Sequence, residues 1–203
     1  MPLWHAAHPL VLASKSSVRR MLLAAAGIPV EVIPSDVDER AVEAEAAATL
    51  SPPGVATLLA RAKALSIARL HPERLVLGAD QVLSLGEKRF TKPADRAAAA
   101  SQLRLLAGRE HELHSAIAFA QNTAVLFEHV GTARLAMRAC SEGFLASYLD
   151  VAGAPAMESV GAYQLEGPGV QLFERVDGDY FTILGLPLLP ALDFLRRHGC
   201  LPS

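Results

Sequence analysis

Leu75-Val76-Leu77-Gly78-Ala79-Asp80-Gln81-Val82-Leu83-Ser84-Leu85 sets a carboxylate and an amide between two apolar runs. Short runs rich in Val and Leu read as buried strands. The Gly-Ala-Asp-Gln step between them predicts a break, with Asp80 and Gln81 where the backbone leaves the interior. Gly78 then serves a turn or a close approach to a ligand, since it carries no Cβ. A carboxylate at the carboxyl end of a buried strand can bind a metal or act as a general base. It can equally cap a turn.

The chain before this stretch predicts a strand over residues 9–13, a polar loop Ser14-Lys15-Ser16-Ser17-Val18-Arg19-Arg20, and a helix that Gly27 closes. Ser16 or Ser17 can cap that helix. Free N–H groups at a helix start, two hydroxyls and Lys15, Arg19 and Arg20 suit a phosphate. A capped helix with a solvated basic face has the same pattern, and the spacing of a P-loop is missing. Residues 29–34 predict a second strand. Ser35-Asp36-Val37-Asp38-Glu39 gathers three carboxylates, fit for a hard cation or for a helix start. Residues 41–50 are rich in Ala and Glu and predict a helix or a mobile segment. A longer helix follows to about residue 70 and carries Lys63, which can reach a cleft or stay in solvent.

Beyond Leu85, Gly86-Glu87-Lys88 predicts a hairpin turn, and Pro93 holds Lys92 at a loop–helix junction. A helix over 94–107 and strands over 110–120, 125–127 and 133–138 come next, then a helix that Ser141 begins. His111 and His114 are three apart on a strand, hence on opposite faces, which argues against a metal pair. Glu166 sits in a glycine-rich loop, where its carboxylate can accept from two adjacent N–H donors such as those of guanine. Asp177-Gly178 predicts a hairpin between strands 170–176 and 179–184, and a last helix ends near Gly199.

The 203 residues suffice for one domain or two lobes around a cleft. At 51% hydrophobic and 20% charged, the composition excludes a disordered chain. Aromatics at 5% and a net charge of −2 give no support for nucleic-acid or membrane-surface binding. Cys140 and Cys200 form no ligand spacing and read as free thiols of a reducing compartment. Met1-Pro2-Leu3-Trp4-His5 lacks the basic start and apolar run of a leader, so a cytoplasmic protein is expected. Strands mixed with helices predict an α/β fold with a long twisted sheet and flanking helices.

Four segments together resemble the Maf family of nucleoside triphosphate pyrophosphatases: residues 12–20, residues 35–39, Gly78-Ala79-Asp80-Gln81 with Lys92-Pro93, and Gly161-Ala162-Tyr163-Gln164-Leu165-Glu166-Gly167 with Gly178-Asp179-Tyr180-Phe181 and Gly185-Leu186-Pro187. The match runs in order along nearly the whole chain, as one domain over 1–203. The resemblance implies an α/β fold related to inosine triphosphate pyrophosphatases, two lobes around a cleft, and often a homodimer. It implies hydrolysis of a nucleoside triphosphate to the monophosphate and pyrophosphate with a divalent cation, magnesium or manganese. By position, Asp80 matches the family's catalytic proton acceptor, and Glu39 with Asp80 the metal-holding acids. Ser14, Ser16, Arg19, Lys63 and Lys92 match residues around the triphosphate.

Val18, Gln81 and Glu166 fall on the family's base-choice positions. The 7-methyl-GTP branch carries an apolar or aromatic residue, Gln and Glu there; the dTTP and UTP branch carries Arg, Thr and Gln. Val18 stands where the first branch often has Trp. A dTTP/UTP pyrophosphatase, or a non-enzymatic nucleotide-binding regulator of septum formation, is the alternative that the resemblance allows.

Overall fold

A computed structural model describes residues 3–46 and 50–202. Met1 and Pro2 of the expected non-leader start, and residues 47–49 of the expected helix over 41–50, lie outside the described residues.

Strand β1 (Leu10–Leu12), helix α1 (Ser17–Ala25) and strand β2 (Val30–Val32) form the expected parallel unit. Ser16 caps α1 by accepting from the Arg19 N–H at 3.3 Å. Helix α2 (Glu39–Ala46) starts where Asp38 Oδ1 accepts from the Ala41 N–H. Helix α3 (Pro52–Leu70) then leads to strand β3 (Val76–Leu85), parallel to β1. A turn at Gly86 joins β3 to β4 (Lys88–Phe90). Helix α4 (Arg96–Leu106) precedes the antiparallel strands β5 (Glu110–Gln121) and β6 (Ala124–Met137), and α5 (Glu142–Ala152) follows. The chain ends with β7 (Phe173–Asp177), α6 (Tyr180–Ile183) and α7 (Leu188–Arg197). The result is a seven-stranded mixed sheet in the order β2-β1-β3-β5-β6-β7, with β4 on the β3 edge. Among the described residues no helix is long and apolar enough to cross a membrane.

Three expectations are corrected. The predicted break at Gly78 to Gln81 does not occur: β3 is one strand of ten residues, and Asp80 is buried in its middle. Gly78 makes no turn. A Cβ there would lie 2.2 Å from the Ala60 carbonyl oxygen and 2.6 Å from the Ala64 nitrogen, so its smallness serves the contact with α3. Residues 125–127 and 133–137 belong to one strand, β6, because every position between them keeps its partner on β5, and Arg138 lies just past its end. The hairpin predicted around Asp177-Gly178 is absent. Asp179 instead caps α6, accepting from the Thr182 N–H at 2.7 Å, and a capped helical turn replaces the returning strand.

Two apolar clusters share one face of the sheet. One gathers Leu12, Leu77, Ala79 and Phe119 with α1 and α7; the other gathers Leu83, Leu113 and Leu135 with α4 and α5. The long strands β3, β5 and β6 run through both, and α3 covers the opposite face around Val76, Val82 and Ala116. The two clusters are the cores of two lobes. Along β3 one core ends at Ala79 and the next begins at Leu83.

The edge of β3 repeats this division. β1 pairs with Val76 and Leu77, and β4 pairs only from Leu83 onward. Residues 78–82 therefore have a strand neighbour on the β5 side and none on the other. A gap is left in the sheet at the level of Asp80 and Gln81.

Candidate active site

A cleft of about 1010 Å³ opens on that gap, and all ten candidate residues line it: Ser14, Ser16, Val18, Arg19, Glu39, Lys63, Asp80, Gln81, Lys92 and Glu166. Successive strand residues point to opposite faces, yet Asp80 and Gln81 both reach the cleft because the missing neighbour exposes the strand edge between them.

Asp80 faces α3. Its Oδ1 accepts from Lys63 Nζ at 2.6 Å, and the same ammonium contacts Glu39 Oε1 at 2.7 Å. Lys63 is buried, not solvated, since Gly78 draws its helix onto the sheet. Burial pushes the Asp80 carboxyl above the usual carboxylate range, against the pull of Lys63 and Arg19. A carboxylate so raised is a stronger base nearer neutral pH. Two carboxylates sharing one cation also form a donor set able to hold a magnesium-sized ion, which takes one or two carboxylates with substrate oxygens and water. Among the described residues no group of three or more His, Cys, Asp or Glu stands ready to hold a metal by itself.

Arg19 does something that spacing did not reveal. Its Nη1 donates to Ser14 Oγ at 3.0 Å and to the Ala79 carbonyl at 2.8 Å, and its Nε donates to the Gly185 carbonyl at 2.8 Å. The guanidinium thus ties the α1 loop to the open edge of β3 and to the loop after α6. Ser14 Oγ also accepts from the Ser16 N–H. Gln81 turns to the other face, where its Nε2 lies 2.9 Å from Ser115 Oγ and 2.9 Å from the Ile183 carbonyl. Lys92 and Glu166 are exposed and make no hydrogen bond or ion pair among the described residues.

Residues 9–198 match the family described as Maf-like protein. The chain belongs to the Maf family. A nucleoside triphosphate pyrophosphatase of Rhodopseudomonas palustris is 57% identical over 201 residues, 99% of each chain. A 7-methyl-GTP pyrophosphatase of Rhizobium etli is 54% identical, covering 94% of this chain and 96% of that one. One of Brucella abortus, also named 7-methyl-GTP pyrophosphatase, is 50% identical over 95% of this chain and 97% of its own. A HAM1 protein structure from Coxiella burnetii aligns at 19% identity with a TM-score of 0.44, over 64% of this chain and 72% of that one.

Sequence reasoning missed a support behind the Maf cleft. Tyr163 lines the cleft and meets His111 through a 2.7 Å contact between Tyr163 Oη and His111 Nε2. Both side chains are buried, and His111 Nδ1 has no partner among the described residues. The pairing spans two distant segments, so no local pattern could signal it. Burial pushes the His111 imidazole down from 6.5 to about 4. At acid pH the unfolded chain takes a proton that the folded chain refuses, so stability falls as pH drops from about 6.5 towards about 4. Between about pH 7 and about pH 4.5 the loss from this residue is ~2–3 kcal/mol. Urea unfolding at both values should show it in the wild type and not in His111→Gln. Equal losses in the two proteins would assign the acid sensitivity to other groups.

Proposed function

We propose that 7-methyl-GTP is the substrate that this nucleoside triphosphate pyrophosphatase hydrolyses best. The observation that carries the reading is that Glu166 and Gln81 line the same cleft as Asp80. The Glu166 carboxylate, unpartnered among the described residues, can accept from the two adjacent N–H groups of a guanine edge; uracil and thymine offer one. Two relatives named 7-methyl-GTP pyrophosphatase support the choice.

In the proposed reaction Asp80 takes a proton from a water that attacks the α-phosphorus. The new P–O bond forms as the bond to the β-phosphate oxygen breaks, and pyrophosphate leaves with its electron pair. Glu39 and Asp80 would hold a divalent cation, which when bound supplies neutralising charge to the phosphate oxygens. Lys63 and Lys92 add fixed positive charge where negative charge develops. Arg19 keeps Ser14 and the edge of β3 in register.

The test compares kcat/KM for 7-methyl-GTP, GTP, UTP and dTTP with magnesium or manganese. 7-Methyl-GTP should rank first. UTP or dTTP in first place overturns the choice of base, and hydrolysis of none overturns the activity. Glu166→Gln should lower kcat/KM for the guanine nucleotides by about 10- to 100-fold, because one acceptor becomes a donor facing a donor. Equal losses for guanine and pyrimidine nucleotides would show that Glu166 does not read the base.

A further inference from the structure

Arg89 lies at the centre of β4, opposite Ser84 of β3, while its neighbour Phe90 lies opposite Leu83 and joins the apolar cluster under α4 and α5. Strand alternation therefore puts Arg89 on the face that carries Ser84, Val82 and Asp80. Gln81 is on the other face. Arg89 lines the cleft together with Asp80, Val82 and Lys92. It is half-buried, and among the described residues it makes no hydrogen bond or ion pair. Among the described residues its Nη1 is buried with no partner.

This is an unusual use of an arginine. Its guanidinium cannot shed its charge, and leaving a buried donor unmade disfavours the fold. Arg61 and Arg104, by contrast, meet carboxylates, those of Glu128 and Glu142. In the cleft Asp80 and Glu39 each give one carboxylate oxygen to Lys63, and neither pairs with Arg89. A planar guanidinium that lines the cleft without a carboxylate partner among the described residues, in a cleft that Lys92 also lines, is matched by a phosphate oxygen pair. We propose that Arg89 is a binding residue for the pyrophosphate moiety, gripping the β- and γ-phosphates on the Asp80 face while the base is read on the Gln81 side. The assignment deepens the proposed pyrophosphatase reading and rests on it.

Its test needs no turnover. Binding of inorganic pyrophosphate and of 7-methyl-GMP is measured by calorimetry, with magnesium, on wild type, Arg89→Ala and Arg89→Lys. In Arg89→Ala the pyrophosphate Kd should rise by about 10- to 100-fold while the monophosphate Kd stays within about threefold. Arg89→Lys should recover part of the loss, since charge returns without the fork. Arg89→Ala should unfold at a Tm equal to or above that of the wild type, because no bond within the chain is lost; a residue of merely structural use would lower it. Unchanged pyrophosphate affinity in Arg89→Ala, or an equal loss for both ligands, overturns the assignment even if the enzyme turns over triphosphates. A wild type that binds pyrophosphate through Arg89 but hydrolyses no nucleotide overturns the parent reading instead.

Discussion

Asp80→Asn should lower kcat by about 10²- to 10⁴-fold with every triphosphate and leave the protein folded. The substitution keeps the size of the side chain and an oxygen for Lys63, which also retains Glu39 at 2.7 Å. What it removes is the proposed proton acceptor. Circular dichroism and thermal unfolding separate loss of chemistry from loss of structure. A variant with activity within about tenfold of wild type would exclude Asp80 as the base. On the same proposal this residue should set the acid limb of the pH profile. Its carboxyl is raised by burial, and only the ionised form accepts a proton, so kcat/KM should start to fall at a pH above that of an ordinary carboxylate. The alternative of a nucleotide-binding regulator predicts instead that the Asp80→Asn protein keeps its full physiological effect.

Gly78→Ala should be strongly destabilising. The added Cβ would lie 2.2 Å from the Ala60 carbonyl oxygen, 2.6 Å from the Ala64 nitrogen and 2.9 Å from the Ala64 Cβ. Two of these atoms are backbone of α3, which cannot rotate away as a side chain can. Overpacking of this kind costs ~3 kcal/mol or more. The only relief is to move α3 off the sheet, which carries Lys63 away from Asp80 and Glu39. Urea unfolding should therefore show a lower midpoint, and activity should fall further than stability alone explains. A variant with wild-type midpoint and wild-type kcat would mean that helix and strand have slack that the distances deny.

Much of the fold was legible because its signals are local. The β1–α1–β2 unit carries a strand pattern, a serine cap and a closing glycine in order along the chain, and each appears where it was expected. The errors fell where a local pattern admits two tertiary outcomes. Gly78 inside an apolar run signals either a break or a close approach, and only the position of α3, a separate segment, distinguishes them. Asp177-Gly178 has hairpin chemistry, but Asp179 beside it has cap chemistry, and the cap prevailed. The site behaved in the same way. Its members were legible one by one and through the family likeness, and the cleft gathers all ten. Their relations were not. That Lys63 stands between two carboxylates, that Arg19 spends itself on backbone carbonyls, and that Arg89 has no partner all depend on contacts between distant segments.

The gap beside β3 bears on solubility as well as on chemistry. An uncovered strand edge on a surface invites another chain to add a strand, the first step of edge-to-edge aggregation. Here the open stretch is short, lies within a buried strand and is flanked by β1 on one side and β4 on the other. Arg19 already occupies the Ala79 carbonyl, and Lys63 stands close by on Asp80. A polypeptide strand would have to desolvate those charges and fit between two fixed neighbours to pair there. A small polar molecule meets no such barrier. The hazard of an unpaired edge is thereby confined to a recess that admits ligands and excludes chains.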